Sequence, residues 1–173
     1  MKKLLFVLSF TAVLSSCCDN KEMALEEKVE STLAQMTLDE KIAIVHAQSK
    51  FSSPGVPRLG IPEMWVMDGP HGVRPETLWD DWDSALWTSD SCTAYPALTC
   101  LAASWDKELS LLYGKSVGEE ARYRKKNVLL GPGVNIYRTP LCGRNFEYMG
   151  EDPYLAGKMA AGLVKGVCIL RRK

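Results

Sequence analysis

The chain has few of the residues that build metal centres. Of 173 residues only two are histidines, His46 and His71, and neither HExxH nor CxxC spacing occurs. A zinc site is therefore not expected, nor any other metal. Neither sign of charge is in excess, with 21 basic and 21 acidic residues, so electrostatics give no reason to expect a nucleic-acid partner. The densest basic cluster, Arg122, Arg124, Lys125 and Lys126, reads as the solvated C-terminal end of a helix, where cations suit the dipole. GxGxxG and GxxxxGK spacings are missing, and Gly131-Pro132-Gly133-Val134-Asn135 alone makes a poor phosphate cradle. There is no internal repeat and no low-complexity segment. The 46% hydrophobic content supports a core and argues against disorder.

The N-terminus reads as an export signal. Lys2 and Lys3 precede an apolar run, Leu4 to Leu14, too short to span a bilayer. Leu14-Ser15-Ser16-Cys17 resembles the bacterial lipobox. Cys17 fits it better than Cys18, which would put Ser15 where a branched apolar residue is expected. On this reading residues 1–16 are a lipoprotein signal peptide, Cys17 is lipidated, and residues 17–24 are a polar tether. The chain is then exported and lipid-anchored in a bacterial envelope, periplasmic or outer-membrane, with the membrane as a partner. A plain secretory signal is the alternative. Of Cys92, Cys100, Cys142 and Cys168, only the first two are close in sequence, and spacing does not establish a disulfide.

Leu25 to Met36 has the spacing of an amphipathic helix. Thr37-Leu38-Asp39-Glu40 is a capping-box pattern that opens a second helix, with Ile42, Ile44 and Val45 as its apolar face and His46 as a half-buried packing residue. Prolines and glycines break the chain from Pro54 to Pro62. Met64 to Met67 then reads as a strand, residues 75–91 as a long loop, and Ala97 to Ala103 as a buried parallel strand. A helix follows from Trp105 to about Arg124, capped by Ser104 or Asp106, and Asn127 to Leu130 is the next strand. A last helix starts near Pro153 and runs past Leu163. Strands alternating with helices indicate an α/β fold with parallel pairing.

Two motifs carry the chemistry, Asp68-Gly69-Pro70-His71-Gly72-Val73-Arg74 and Gly143-Arg144-Asn145-Phe146-Glu147, the second followed by Glu151-Asp152-Pro153. Both fall after strands, on the face where α/β folds bind ligands. Asp68 before Gly69 is either a turn aspartate bonding its own backbone or an acceptor for two adjacent hydroxyls of a polyol. Arg74 and His71 in the same loop favour the polyol. Arg144 either pairs with Glu147 or Glu151 to pin its loop or contacts a ligand. Trp79, Trp82 and Trp87 are either packing anchors or stacking platforms for a sugar.

Together these stretches resemble glycoside hydrolase family 3, in its β-glucosidase and β-xylosidase range. The resemblance covers about residues 33–167 and also includes Met36 to Lys41, Tyr95-Pro96 with Trp105-Asp106, and Asn127 to Ile136. It implies that residues 25–167 are the N-terminal part of a (β/α)8 TIM-type barrel domain. It further implies that Asp68 and Arg144 bind hydroxyls of the sugar beside the scissile bond, with Arg74, His71 and Glu147 as weaker substrate-site candidates better suited to supporting the loops. The implied reaction is exo-acting, retaining hydrolysis of a β-linked oligosaccharide or glycoside by two carboxylates, without a cofactor.

The family's Lys-His motif, nucleophilic aspartate and acid have no counterpart here, so no catalytic residue is expected in this chain. Residues 168–173 form an atypical tail. A complete barrel needs about 250 residues, so this length holds only its first βα units, and activity would require the missing C-terminal part of the enzyme. Asp106 and Asp152 are not candidate nucleophiles, because nothing sets either against a second carboxylate. The alternatives are a non-catalytic sugar-binding lipoprotein and a decayed gene product.

Overall fold

A computed structural model describes residues 19–74 and 91–169, with side chains from residue 23 onward. The expected signal peptide (residues 1–16), Cys17, Trp79, Trp82, Trp87 and residues 170–173 lie outside the described residues.

The chain divides into two units, Met1–Lys41 and Ile42–Lys173. In the first, helix α1 (Asp19–Gln35) begins inside the segment expected to be a tether. Leu25, Val29 and Leu33, its expected apolar face, remain exposed. Helix α2 (Leu38–Ile44) starts where the capping box places it. The Thr37 Oγ1 accepts from the Glu40 N–H at 3.2 Å, and the Glu40 carboxylate accepts from the Thr37 N–H at 2.8 Å. Two orphan amide donors are thus satisfied reciprocally. The helix ends at Ile44, so His46 lies beyond it and is exposed rather than half-buried.

The second unit is built on a three-stranded sheet in the order β1-β2-β3, with β1 at Ser52–Ser53, β2 at Met64–Asp68 and β3 at Val128–Leu130. β1 runs antiparallel to β2. β2 and β3 are parallel, with Val66 opposite Val128, Met67 opposite Leu129 and Asp68 opposite Leu130. This register puts Met67 and Leu129 on one face, where they join the core. Helices α3 (Leu98–Ala103) and α4 (Lys107–Tyr123) connect the two parallel strands, and α5 (Pro153–Ile169) follows.

The expected strand at Ala97–Ala103 is helix α3. Leu98, Leu101 and Ala102 are buried while Thr99, Cys100 and Ala103 are exposed, a three-and-four spacing that only a helix gives. The stretch is rich in Leu and Ala, which favour helix, and has one β-branched residue, Thr99. An apolar run of this length has no periodicity of its own to separate the two states.

Helix α4 starts at Asp106, whose carboxylate accepts from the Glu108 and Leu109 N–H groups at 2.8 and 3.1 Å. Asp152 does the same for the Tyr154 N–H at the start of α5, at 2.8 Å. Both aspartates rejected as nucleophiles are therefore occupied as caps. α4 and α5 pack closely along their lengths. A Cβ on Gly114 would stand 2.0 Å from the Leu163 carbonyl oxygen, and one on Gly166 would stand 2.3 Å from that of Leu111. Only glycine permits this approach. The buried Ser110 hydroxyl uses it to donate to the Met159 carbonyl at 2.6 Å.

The basic cluster at the end of α4 is only partly solvated. Arg122 and Lys125 are exposed. The Arg124 side chain is 12% exposed and pairs with Glu120, 15% exposed, at 3.3 Å. Lys126 lies over the Trp65 ring at 4.3 Å.

Candidate sugar-binding site

Strand β2 ends at Asp68, and the chain turns back at once. The Arg74 N–H donates to the Asp68 carbonyl at 3.0 Å, and an Arg74 guanidinium nitrogen stands 3.7 Å from the Asp68 carboxylate. This closes the first motif into a compact loop. Gly72 has φ +131°, and a Cβ there would meet the Thr93 carbonyl oxygen at 2.4 Å. The motif needs glycine at that position for both reasons.

The rear of this loop is tied to α4 and to residues 91–96. The Tyr113 hydroxyl lies 3.2 Å from the Pro70 carbonyl oxygen and 3.0 Å from that of Pro96. The Tyr95 N–H donates to the His71 carbonyl at 2.9 Å. Glu120 accepts from the Thr93 N–H at 3.1 Å, and Arg124 donates to the Ser91 carbonyl. One face of α4, at 113, 120 and 124, therefore fixes the segment that fixes the loop. Burial, reinforced by neighbouring Tyr95, pushes the Tyr113 phenol well above its ordinary pKa.

The second motif follows β3 and a cis Gly131–Pro132 peptide. A 3₁₀ turn, Asn145–Glu147, brings Glu147 back to accept from Arg144 Nε. This hydrogen bond, then the charges of Glu147, Tyr148 and Asp68, raise the Arg144 pKa further. Glu147 is buried, whereas Arg144 remains open to solvent. Behind them the Tyr148 carbonyl accepts from Thr99 Oγ1 at 2.8 Å and from the Tyr137 hydroxyl at 3.1 Å.

Asp68 and Arg144 line one open cavity of about 340 Å³, together with Glu147, Tyr148 and the loop from Gly131 to Asn135. The pairing expected from the sequence, a carboxylate and a guanidinium on one rim, is thus present. Arg144 bonds to Glu147, as one of the two sequence readings has it, and still borders the cavity. Arg74 and His71 do not line it. Arg74 sits against Asp68. His71 sets its ring at 65° to Phe146, 5.9 Å between centroids, and its buried Nε2 has no hydrogen-bond partner.

Sequence reasoning missed Asn135 and Tyr148. Tyr148 directly follows the second motif, and Asn135 ends the Gly131–Asn135 stretch, whose position after β3 is the signal that would have found it. Among the described residues no cluster of His, Cys, Asp or Glu has the geometry of a metal site. The cysteines at 92, 100, 142 and 168 are all free.

No family model matches the sequence, but individual proteins do. Over 143 residues the chain is 65% identical to β-glucosidase BoGH3A of Bacteroides ovatus, a match covering 83% of this chain and 19% of that protein. It is 44% identical over 140 residues to thermostable β-glucosidase B of Acetivibrio thermocellus, covering 80% of this chain and 18% of the relative. Among solved structures, β-glucosidase 3B of Thermotoga neapolitana in complex with α-D-glucose superposes with a TM-score of 0.68 at 39% identity, over 81% of this chain and 21% of that one. The chain thus spans about a fifth of the length of the relatives it matches. These matches, and two rim loops that begin where parallel strands end, make the chain an N-terminal portion of a glycoside hydrolase family 3 barrel domain.

Proposed function

We propose that this chain supplies the terminal-sugar grip of an exo-acting, retaining β-glycosidase of β-glucosidase or β-xylosidase type. One observation carries the reading: Asp68 and Arg144, from loops 76 residues apart in sequence, border the same cavity. The Asp68 carboxylate accepts hydrogen bonds from two neighbouring hydroxyls. The free face of the Arg144 guanidinium donates to a third oxygen, while its Nε is held by Glu147. Asn135 offers both a donor and an acceptor on the same rim. In a retaining glycosidase such contacts fix the ring while two carboxylates about 5–5.5 Å apart act on the anomeric carbon. No residue of this chain is assigned to either carboxylate role, so the chain alone binds and does not hydrolyse.

Calorimetric titration of the chain with glucose and with xylose, alongside thermal unfolding, tests this. Saturable binding that is lost in Asp68→Asn and in Arg144→Met supports the reading. Binding unchanged in both variants refutes it. Hydrolysis of an aryl β-glycoside by the chain alone would overturn the assignment of the carboxylates elsewhere.

We further propose that Cys17 is lipidated and that the protein is held in a bacterial envelope, on the pattern Leu14-Ser15-Ser16-Cys17. Mass spectrometry of the mature N-terminus should find a diacylglyceryl-modified cysteine that Cys17→Ser abolishes. An unmodified N-terminus at another residue would count against it.

A further inference from the structure

We propose that the His71 and Phe146 rings form a spacer that holds the two rim loops apart and so sets the width of the sugar cavity, which makes His71 a positioning residue. The spacer serves the sugar-grip reading above and rests on it. Both loops share a floor. A Cβ on Gly131 would stand 3.4 Å from the Pro70 Cα, and one on Gly133 would stand 2.3 Å from the Glu147 carbonyl oxygen. Beside that floor the two rings, 5.9 Å between centroids, make a direct side-chain contact from the first loop to the second. His71 is set from its own side, because its carbonyl accepts from the Tyr95 N–H at 2.9 Å. Phe146 is set from the other, by the 3₁₀ turn that follows Arg144 and includes Glu147.

The contact works through shape. The His71 Nε2 is buried with no hydrogen-bond partner among the described residues, so the ring keeps its place by packing and not by bonding. Neither ring lines the cavity, so the pair reaches the sugar only through the spacing of the loops. Something must resist closure there. Asp68 pairs with Arg74 and Arg144 with Glu147, not with each other, yet the Asp68 charge is felt at Arg144. Opposite charges on one cavity rim attract. Without the rings the loops can close until the Asp68 carboxylate reaches the Arg144 guanidinium, and the two groups then satisfy each other in place of sugar hydroxyls. Phe146 is 63% exposed, so the seam runs along the surface, and having no hydrogen bond it leaves each loop its own anchorage.

Calorimetric titration of the full chain and its variants with glucose tests the spacer. His71→Ala should weaken binding by roughly tenfold or more. Phe146→Ala, at an exposed ring, should do the same even if His71→Ala fails to fold. His71→Phe should recover the affinity, since it restores a ring without the nitrogen. Added salt should tighten binding to the two alanine variants by roughly twofold or more, because it screens the collapsed ion pair, while the parent's affinity for a neutral sugar stays constant. A variant that merely loosens the fold would show no such gain. A second arm needs no sugar: the Tm changes of Asp68→Asn and Arg144→Met should nearly add in the parent and fail to add in His71→Ala and in Phe146→Ala. A parent that binds no glucose therefore refutes the grip, and the additivity of those Tm changes still decides the spacer. Affinity unchanged in both alanine variants, no recovery in His71→Phe, or additive Tm changes in every background would each overturn the proposal.

Discussion

Glu120 is a surface carboxylate by sequence and a structural clamp by position. Its carboxylate pairs with Arg124 at 3.3 Å and accepts from the Thr93 N–H at 3.1 Å, and both charged side chains are largely covered. Glu120→Ala removes both bonds and takes the carboxylate from beside the largely covered Arg124, whose guanidinium keeps its bond to the Ser91 carbonyl. A hydrogen bond to a charged group contributes about 1.5–3 kcal/mol. Thr93 is exposed, so water replaces part of what its amide loses, and the net cost should be about 2–3 kcal/mol. For a chain of this size that lowers Tm by roughly 4–12 °C. The double variant Glu120→Ala/Arg124→Met should be less destabilised than the sum of its parts, by about 1 kcal/mol, since each single change already removes the bond the two side chains share. Because the pair is covered, added salt should change the difference little. Urea unfolding of the four proteins measures all of this. A Glu120→Ala variant within about 0.5 kcal/mol of the parent, in the range of an ordinary surface change, would refute the clamp.

Three further substitutions separate other parts of the fold. Tyr113 and Tyr95 both have phenol pKa values raised by burial, the latter also by Glu120. The unfolded chain gives up these protons near pH 10 and the folded chain does not. Their contribution is therefore full below about pH 10 and falls above it, by at most about 1.4 kcal/mol per pH unit for the more deeply buried Tyr113. Tyr113→Phe should flatten the decline between pH 10 and 11 in denaturant titrations, and an unchanged slope would contradict the assignment. Gly114→Val should cost about 3 kcal/mol or more, because its side chain meets the Leu163 backbone. Gly157→Ala in α5, where nothing lies within 4 Å, should gain about 0.5–1 kcal/mol. Thermal unfolding that ranks the two the other way would show that α4 and α5 are not in close contact.

The legible features were those with a local physical cause. The capping box at Thr37 and Glu40, the Asp106 cap and the start of α5 at Pro153 each rest on a few adjacent residues, and each is found as expected. The cavity pairing of Asp68 with Arg144 was legible because both loops follow strands that lie parallel in register. α3 was not legible, since its burial pattern exists only once α5 and the 3₁₀ turn at Asn145 are in place against it. The roles of Tyr113, Glu120 and Arg124 were hidden for the same reason. Their partners, Pro70, Ser91, Thr93 and Pro96, lie 17 to 43 residues away with no periodic signal. His46 was misread because α2 stops two residues short of it.

The arginine on the rim takes its orientation from a glutamate three residues later, inside the same 3₁₀ turn. The aspartate opposite is set by a strand end and by ties running back to α4. One half of the proposed grip is consequently a self-contained cassette and the other is anchored in the scaffold. Exchanging the cassette among homologues of differing monosaccharide preference should retune recognition without disturbing the helices beneath, whereas grafting the opposite loop would have to bring α4 along.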